Sequence, residues 1–448
     1  MKVLLSRIHA RLGDLWWYTG IQFAAARCGD LINAFIGLWL VPKWVGMDEL
    51  GAVLPLTYFA TFLAMPMSAF TTALTKEVNV LSVRGERGKL KSLLRGVFIA
   101  VAVFLVVAFF CVRYAMPLVL ERIRVEEGLL GFVIIASALA GSSAPVYLYT
   151  LQALKRFKTF SVINLCCSPI RLVVLLVAMP FRALTGYFVG QGASPCFQIA
   201  ASVFVLRHDI GRSVKAEVYW TRETVRSFLR YAVLIAVPMF VGGLVSFVEP
   251  LIIRQRLPAV DSAAFYMISR FAEVGTYLGL TLSTIVFPYV SEECERGGSG
   301  NRLIARAMIG SLSFGVLCAV LFGVFGRRAL LLLPNGADYA AYVPELVILT
   351  LILSVGAAVG CFTSGEIAAK RFNWLLWSVP LTLLYVGTLF ALTGYGYLRG
   401  IVPDALIAAI ESWRVCRLDF LLGLMGAFAG LKMLFVVLQM MLRRNGKA

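Results

Sequence analysis

Long apolar stretches alternate with short polar segments along the whole chain. A helix needs about 20 apolar residues to cross the hydrocarbon core of a bilayer. The separators carry charged residues, Pro and Gly, which favour turns. β-barrel strands would be shorter and would alternate in polarity, so the pattern predicts an all-α integral membrane protein with twelve transmembrane helices. The twelve predicted spans are residues 21–41, 51–71, 93–111, 129–151, 160–179, 184–206, 231–253, 264–290, 303–325, 343–362, 374–392 and 420–442.

The loops between these spans differ in charge. If the N-terminus lies inside, the inner segments carry roughly twice as many Lys and Arg residues as the outer segments, the bias that marks the cytoplasmic side of a membrane protein. An even number of spans agrees with this orientation. We therefore expect a multi-pass protein of the cytoplasmic (inner) membrane with both termini in the cytoplasm.

A short motif indicates that the chain contains a repeat. Ala153-Leu-Lys-Arg-Phe157 recurs as Ala368-Ala-Lys-Arg-Phe372, and each copy closes the fourth span of a six-span set. Because six is even, the two halves would run in the same direction, with their pseudo-twofold axis along the membrane normal. The repeat predicts two parallel six-helix lobes, residues 1–206 and 231–448, joined by a cytoplasmic linker at 207–230 and enclosing a central cavity.

Composition supports a membrane protein and excludes other classes. Of the 448 residues, 60% are hydrophobic and 15% are charged, whereas soluble domains are about half apolar and a quarter charged. The net charge of +18 falls mainly in the short loops, so topology explains it and we expect no binding to nucleic acid. With only two histidines, neither a metal site nor a catalytic triad is expected.

Ionisable side chains within the predicted spans are the candidate functional residues, because such groups are costly in hydrocarbon and usually face a cavity or a partner. Two readings stay open. Pairs spaced by three residues share a helix face and could neutralise each other, and Arg171 could cap backbone carbonyls near Pro169. Alternatively the arginines line a cavity and receive a pyrophosphate, since the guanidinium can donate two hydrogen bonds to two oxygens. The candidate substrate-binding residues are Arg27, Asp30, Asn33, Arg171, Arg270 and Glu273.

Glu249 stands before Pro250 near the predicted outer end of span 7. A desolvated carboxyl group there could bind a coupling proton or sodium ion, or its side chain could extend to the surface with Arg254. Lys432 lies deeper, in span 12, and its sequence context explains no role. Beyond a coupling ion, we expect no cofactor.

Five segments resemble a known family in their order along the chain. The segments are Val45-Gly-Met-Asp-Glu-Leu-Gly51, Leu151-Gln-Ala-Leu-Lys-Arg-Phe157, Phe228-Leu-Arg-Tyr-Ala-Val-Leu-Ile-Ala-Val-Pro-Met239, residues 264–289 and Asn335-Gly-Ala-Asp-Tyr339. With these segments the chain resembles the polysaccharide or O-antigen flippases of the multidrug/oligosaccharidyl-lipid/polysaccharide exporter superfamily. This resemblance implies two lobes of helices and a substrate oligosaccharide linked to a polyprenyl pyrophosphate.

Three functions compete at this stage. A flippase would carry the lipid-linked oligosaccharide from the inner to the outer leaflet by alternating access, as a monomer in the bilayer and without enzymatic chemistry. A cation-coupled multidrug extruder of the same superfamily would instead have an acid-dominated cavity. A membrane glycan polymerase or ligase would place catalytic groups in a large outer loop, and the one long outer segment, 395–419, contains no histidine.

Overall fold

The computed structural model describes residues 28–125, 128–154, 156–209, 217–295, 298–369, 371–393 and 417–444. Regular structure in these ranges is helical throughout, without a β-strand, which confirms the all-α prediction. Within the same ranges, nine helices are long and apolar enough to cross a membrane, and the shorter Leu375–Ala391 is apolar too. Arg27, a predicted binding residue, and most of the outer segment 395–419 lie outside the described residues.

The described residues divide into two compact units. The first unit holds the residues up to Val45 together with Leu56–Gly243, and the second holds Gly46–Pro55 together with the residues from Leu244 onward. Two long helices therefore contribute residues to both units. The predicted lobe limits, 1–206 and 231–448 around the linker 207–230, stay predictions, as does the central cavity.

Seven helices build or enter the first unit. The helix at 28–44, α1, contains a π-helical turn at Ile36–Leu40. The long apolar runs that follow form one continuous helix each, because main-chain groups in hydrocarbon must satisfy one another within the helix. These helices are α2 Met47–Val83, α3 Arg87–Ile123, α4 Gly128–Ala153, α5 Phe157–Ala178, α6 Ala183–Asp209 and α7 Arg222–Arg256.

In the second unit, one predicted span is divided into two helices. The predicted span 264–290 is broken by a 3₁₀ turn at Glu273–Thr276. At this turn Gly275 approaches the helix opposite so closely that an added Cβ would stand 2.9 Å from the Thr350 methyl group. The helices of this unit are α8 Ala259–Ala272, α9 Tyr277–Glu295, α10 Asn301–Leu331, α11 Gly336–Tyr339, α12 Val343–Ala368, α13 Leu375–Thr393 and α14 Leu418–Arg444.

Small residues hold the helices of the second unit together. A Cβ on Gly315 of α10 would stand 2.0 Å from Oγ of Ser354 on α12, so this contact tolerates no side chain at 315. The Ser354 hydroxyl is itself satisfied, since it donates to the Thr350 carbonyl at 2.6 Å. Close approach through small residues is how helices associate in lipid, where hydrophobicity gives no net drive between them.

The segment before α7 is anchored to the ends of α2 and α3 within the first unit. Tyr219 donates its hydroxyl to Glu77 of α2 at 2.9 Å, and the Trp220 indole donates to the carbonyl of Ser92 on α3 at 3.3 Å. Thr221 and Thr224 then hydrogen-bond to each other's backbone N–H, at 2.9 and 3.3 Å. Thr221 therefore caps α7, because its hydroxyl accepts from the N–H of Thr224 in the first turn of that helix.

Both copies of the repeated motif end a helix in the same way. In the first unit the Arg156 N–H donates to the carbonyl of Leu151 at 2.9 Å. In the second unit the Arg371 N–H donates to the carbonyl of Glu366 at 2.8 Å. Matching main-chain bonds at matching motif positions support an internal repeat between the two halves of the sequence.

Candidate functional site

A polar cavity of about 450 Å³ lies inside the first unit. Three helices line it: α1, α5 and α6. Its lining is mostly hydroxyl and amide groups, with one carboxylate, that of Asp30. The residues that line it are Gly29, Asp30, Asn33, Phe160, Ser161, Asn164, Cys167, Ser168, Ser194 and Gln198.

Helical spacing brings the polar groups to this cavity. Ser161, Asn164 and Ser168 fall three and four residues apart on α5, so they form one polar stripe along this mostly apolar helix. Ser194 and Gln198 do the same on α6. The lining of the cavity runs along α5 from Phe160, in its first turn, to Ser168, near its middle.

The approach of α1 to α5 closes one side of the cavity. Gly29 has no side chain, and an added Cβ there would stand 3.0 Å from Oγ of Ser168. The Gln198 amide donates to the Asn164 amide oxygen at 3.4 Å and links α6 to α5. The cavity is therefore held by polar contacts among its own lining helices.

Arg171 lies one turn beyond Ser168 on α5 and extends this polar network. Its Nη1 donates to Oδ1 of Asn33 at 2.9 Å, and its guanidinium lies 5.8 Å from the ring centroid of Tyr187 on α6. The Tyr187 hydroxyl accepts a hydrogen bond from Gln191 at 2.6 Å. Arg171 thus brings a permanent positive charge beside a cavity whose own lining contains one carboxylate.

Arg270 and Glu273 form an ion pair in the second unit. Nη1 of Arg270 donates to both carboxylate oxygens of Glu273 at 3.0 Å, and the guanidinium lies 5.4 Å from the ring centroid of Tyr266. Glu273 begins the 3₁₀ turn that separates α8 from α9. The three-residue spacing seen in the sequence does bring the two side chains together, in the self-neutralising arrangement that we kept as an alternative.

Glu249 belongs to a second polar cluster, also within the second unit. The Tyr385 hydroxyl on α13 donates to Oε1 of Glu249 on α7 at 2.7 Å. The Tyr385 ring stacks on Phe428 of α14, with centroids 4.0 Å apart and planes 4° apart. Lys432 places its ammonium 4.3 Å from the Phe428 centroid and interacts electrostatically with Glu249.

The structure therefore groups the predicted residues in three places. Asp30, Asn33 and Arg171 meet in the first unit, Arg270 and Glu273 pair in the second, and Glu249 joins a cluster of its own. Sequence reasoning missed the polar stripes of α5 and α6, although their three- and four-residue spacing was visible. It could not have found the Tyr385–Glu249 bond, because the two residues are 136 positions apart.

Comparison with known proteins finds similarity in fold alone. Neither a family model nor a curated protein sequence matches the chain. Among solved structures, the chain is similar to an inward-facing multidrug resistance MATE family transporter of the MOP superfamily, with a TM-score of 0.70 at 12% identity over 94% of this chain and 96% of that one. It is also similar to the lipid II flippase MurJ in an inward closed conformation, with a TM-score of 0.60 at 14% identity over 94% and 87% of the two chains.

A third similar structure is a MOP superfamily transporter from Pyrococcus furiosus, whose description reports a binding pocket of reversed polarity and suggests a different function. Its TM-score is 0.56 at 13% identity over 94% of this chain and 93% of that one. At these identities the likeness is one of fold. The chain therefore has the fold of MOP superfamily transporters, and its apolar helices agree with a multi-pass membrane protein.

Proposed function

We propose that this protein is a flippase that moves a polyprenyl-pyrophosphate-linked oligosaccharide from the inner to the outer leaflet by alternating access. The observation that carries the proposal is the polar cavity of the first unit with Arg171 beside it. In this proposal twelve helices cross the inner membrane, both termini are cytoplasmic, and the protein acts as a monomer. No bond is made or broken, so the protein is not an enzyme.

The chemistry of the cavity suits the head group of such a substrate. Hydroxyl and amide side chains can donate to and accept from sugar hydroxyls, whereas an apolar cavity could not. The Arg171 guanidinium can exchange its bond to Asn33 for the oxygens of a pyrophosphate, to which it donates in pairs. The polyprenyl tail would remain in the lipid, so the protein handles only the polar part.

The remaining candidate residues have supporting roles in this proposal. Arg27 would add a second positive charge for the pyrophosphate. Arg270 and Glu273 would open their ion pair to admit the substrate. Glu249 would bind the coupling ion, a proton or sodium, and return the transporter to its starting state.

A multidrug extruder is the second candidate, and one feature of the cavity favours it. Asp30 places a carboxylate among the lining residues, where it could bind a cationic amphiphile. The fold of the multidrug transporter in the comparisons agrees with this reading. A glycan polymerase or ligase is the weaker alternative, because the similar structures are described as transporters and a flippase.

A reconstitution experiment tests the proposal. Purified protein is placed in vesicles that contain a fluorescent lipid-linked oligosaccharide in both leaflets, and a membrane-impermeant reductant bleaches the outer leaflet. We expect complete bleaching with protein and about half without it, because only flipping exposes the inner pool. Bleaching that stops at the same level as in empty vesicles would refute the flippase. Efflux of a cationic dye that Asp30→Asn abolishes would establish the extruder instead.

A further inference from the structure

An apolar groove of about 260 Å³ lies between α2 and α7 in the first unit, apart from the polar cavity. Every side chain that lines it is apolar, and most of them come from α7. Several are exposed, and an exposed apolar face of a membrane protein is stable against lipid rather than water. The lining residues are Pro66, Val233, Ala236, Val237, Phe240 and Val241.

Aromatic contacts between α2 and α7 keep the groove open. The rings of Phe62 and Phe240 pack with their centroids 4.6 Å apart, and those of Phe70 and Phe228 pack edge to face at 5.1 Å. Between these two contacts α2 presents Pro66, whose short ring leaves the space beside α7 unfilled.

The same face of α7 carries a row of positive charge. Because positions three and four apart share a helix face, Val233 and Val237 lie in line with three exposed arginines nearer the start of the helix. These are Arg230, Arg226 and Arg222. Among the described residues, none of the three forms a salt bridge with a carboxylate. Like charges one turn apart repel each other, so an anion beside them would relieve this repulsion.

The length of this face fits one leaflet of a bilayer. In the proposed topology α7 begins in the cytoplasm and enters the membrane near Tyr231. From Val233 to Val241 the helix rises about 12 Å, which is close to half of the hydrocarbon core of about 30 Å. The groove then lies in the inner leaflet, and Arg226 and Arg230 lie at the level of its head groups.

We propose that this face is the docking site at which the lipid-linked substrate waits in the inner leaflet. Arg226 and Arg230 bind its pyrophosphate, and the first isoprene units of its tail lie along the groove. This inference rests on the flippase proposed above and adds a step before the head group enters the polar cavity. Because the groove is open, the tail stays at the boundary with the lipid.

The ratio of charge to chain favours this lipid over an ordinary phospholipid. Each guanidinium can donate a pair of parallel hydrogen bonds to one phosphate, so two arginines one turn apart suit the adjacent phosphates of a pyrophosphate. A single groove accompanies them. Polyprenyl pyrophosphate brings one chain for its two phosphates, whereas a phospholipid brings two chains for each phosphate.

The first experiment locates the lipid on the full-length protein in nanodiscs. The probe is a polyprenyl pyrophosphate without sugars, with a photoreactive group near the start of its tail, and mass spectrometry identifies the labelled residues. We expect labelling of α7 at residues 233–241. Arg226→Gln combined with Arg230→Gln should lower it about 10-fold or more, because charge-assisted hydrogen bonds to phosphate are lost. Labelling spread evenly over the exposed apolar helices would overturn the proposal.

A second pair of arginines is the matched control, since topology alone favours positive charge on the cytoplasmic side. Arg302 and Arg306 are exposed and one turn apart at the start of α10, which also begins on the predicted cytoplasmic side. Arg302→Gln combined with Arg306→Gln should leave the labelling of α7 unchanged. An equal fall in both double variants would show a general effect of surface charge and overturn the docking site.

Two substitutions on α7 test the groove itself. Val237 lines the groove and Leu234 does not, although both side chains are 39% exposed. Val237→Trp fills the groove and should lower the labelling of α7, whereas Leu234→Trp should leave it unchanged. If the two variants are labelled alike, the tail does not lie in this groove and the proposal is wrong.

Competition decides between the two kinds of lipid, and labelling without transport keeps this test apart from that of the flippase. Displacement of the probe by an equal amount of phosphatidylglycerol would make this face an ordinary surface for anionic lipids and refute the proposal. A protein that flips the substrate without labelling of α7 would refute the docking site alone. Labelling of α7 in a protein that does not flip would support the docking site and contradict the flippase.

Discussion

Arg443 and Glu366 form a two-point ion pair that joins the end of α14 to the end of α12. Nη1 and Nη2 of Arg443 donate to the two carboxylate oxygens of Glu366 at 2.5 and 2.6 Å. The Glu366 side chain is 0% exposed and that of Arg443 is 11% exposed. Removing one partner of a buried pair leaves an uncompensated charge, whereas an exposed pair contributes little.

We therefore predict that Arg443→Gln destabilises the protein by about 3–5 kcal/mol. The measurement is thermal unfolding of the purified protein, followed by tryptophan fluorescence. Arg417→Gln is the matched control, because it breaks the Arg417–Asp419 pair, whose side chains are 57% and 58% exposed. That variant should melt within error of the wild type. Equal losses of stability in the two variants would show that burial does not decide how much these ion pairs stabilise the protein.

The linker before α7 offers a second stability prediction. Burial and the bond to Glu77 raise the pKa of Tyr219 above its ordinary value, so its hydroxyl stays protonated and keeps donating throughout the physiological range. Tyr219→Phe should reduce the free energy of unfolding by about 1 kcal/mol, the usual contribution of one hydrogen bond.

The raised pKa of Tyr219 also sets the direction in which stability changes at alkaline pH. Because the pKa is higher in the folded protein than in the unfolded chain, the stabilisation is complete below the unfolded value and is lost as pH rises through the folded value. Wild-type stability should therefore fall more steeply than that of Tyr219→Phe above about pH 10. Parallel pH profiles measured by chemical denaturation would contradict this.

The contact between α10 and α12 predicts opposite effects for two glycines of one helix. Gly315→Ala forces a Cβ against Ser354 and should cost about 1–3 kcal/mol through overpacking. Gly323→Ala meets only one methyl group, at 3.9 Å, so the better helix propensity of alanine should stabilise this variant slightly. The melting temperatures of the two variants test this packing. A shift of the same sign in both variants would refute the close contact between α10 and α12.

The candidate site yields a prediction that separates the two parts of the substrate. Arg171→Lys retains the charge but loses the planar fork, so binding of polyprenyl pyrophosphate should weaken by about 10-fold or more, with sugars or without them. Asn164→Ala should weaken only the sugar-bearing ligand, because the amide would bind hydroxyl groups. Native mass spectrometry of the detergent-solubilised protein measures the fraction that binds each ligand, with sugars and without them.

Arg207→Gln serves as the control for the binding experiment, since it removes an exposed arginine from the end of α6. It should bind both ligands as the wild type does. If Arg171→Lys and Arg207→Gln behave alike, the phosphate role of Arg171 is wrong. If Asn164→Ala weakens the binding of both ligands equally, the cavity does not recognise the sugar.

Local pattern predicted much of this architecture. The apolar stretches were recognisable because length and hydrophobicity alone decide whether a helix suits the membrane. The spacing of Asp30 and Asn33 likewise predicted a shared face. The 3₁₀ turn at Glu273–Thr276 was not predicted, because the apolar pattern runs through it without a break.

From the sequence alone follow the helical membrane class, the approximate positions of the apolar helices and the helix faces that carry charge. The helix ends do not follow, since α2 and α3 run twelve residues beyond the predicted spans 51–71 and 93–111. Which of the charges meet is settled only by the packing of the helices. Asn33 and Arg171 are 138 positions apart, and Glu249 and Tyr385 are 136 positions apart. Such contacts depend on the rotation and packing of whole helices, which many distant side chains set together and no single stretch of sequence records.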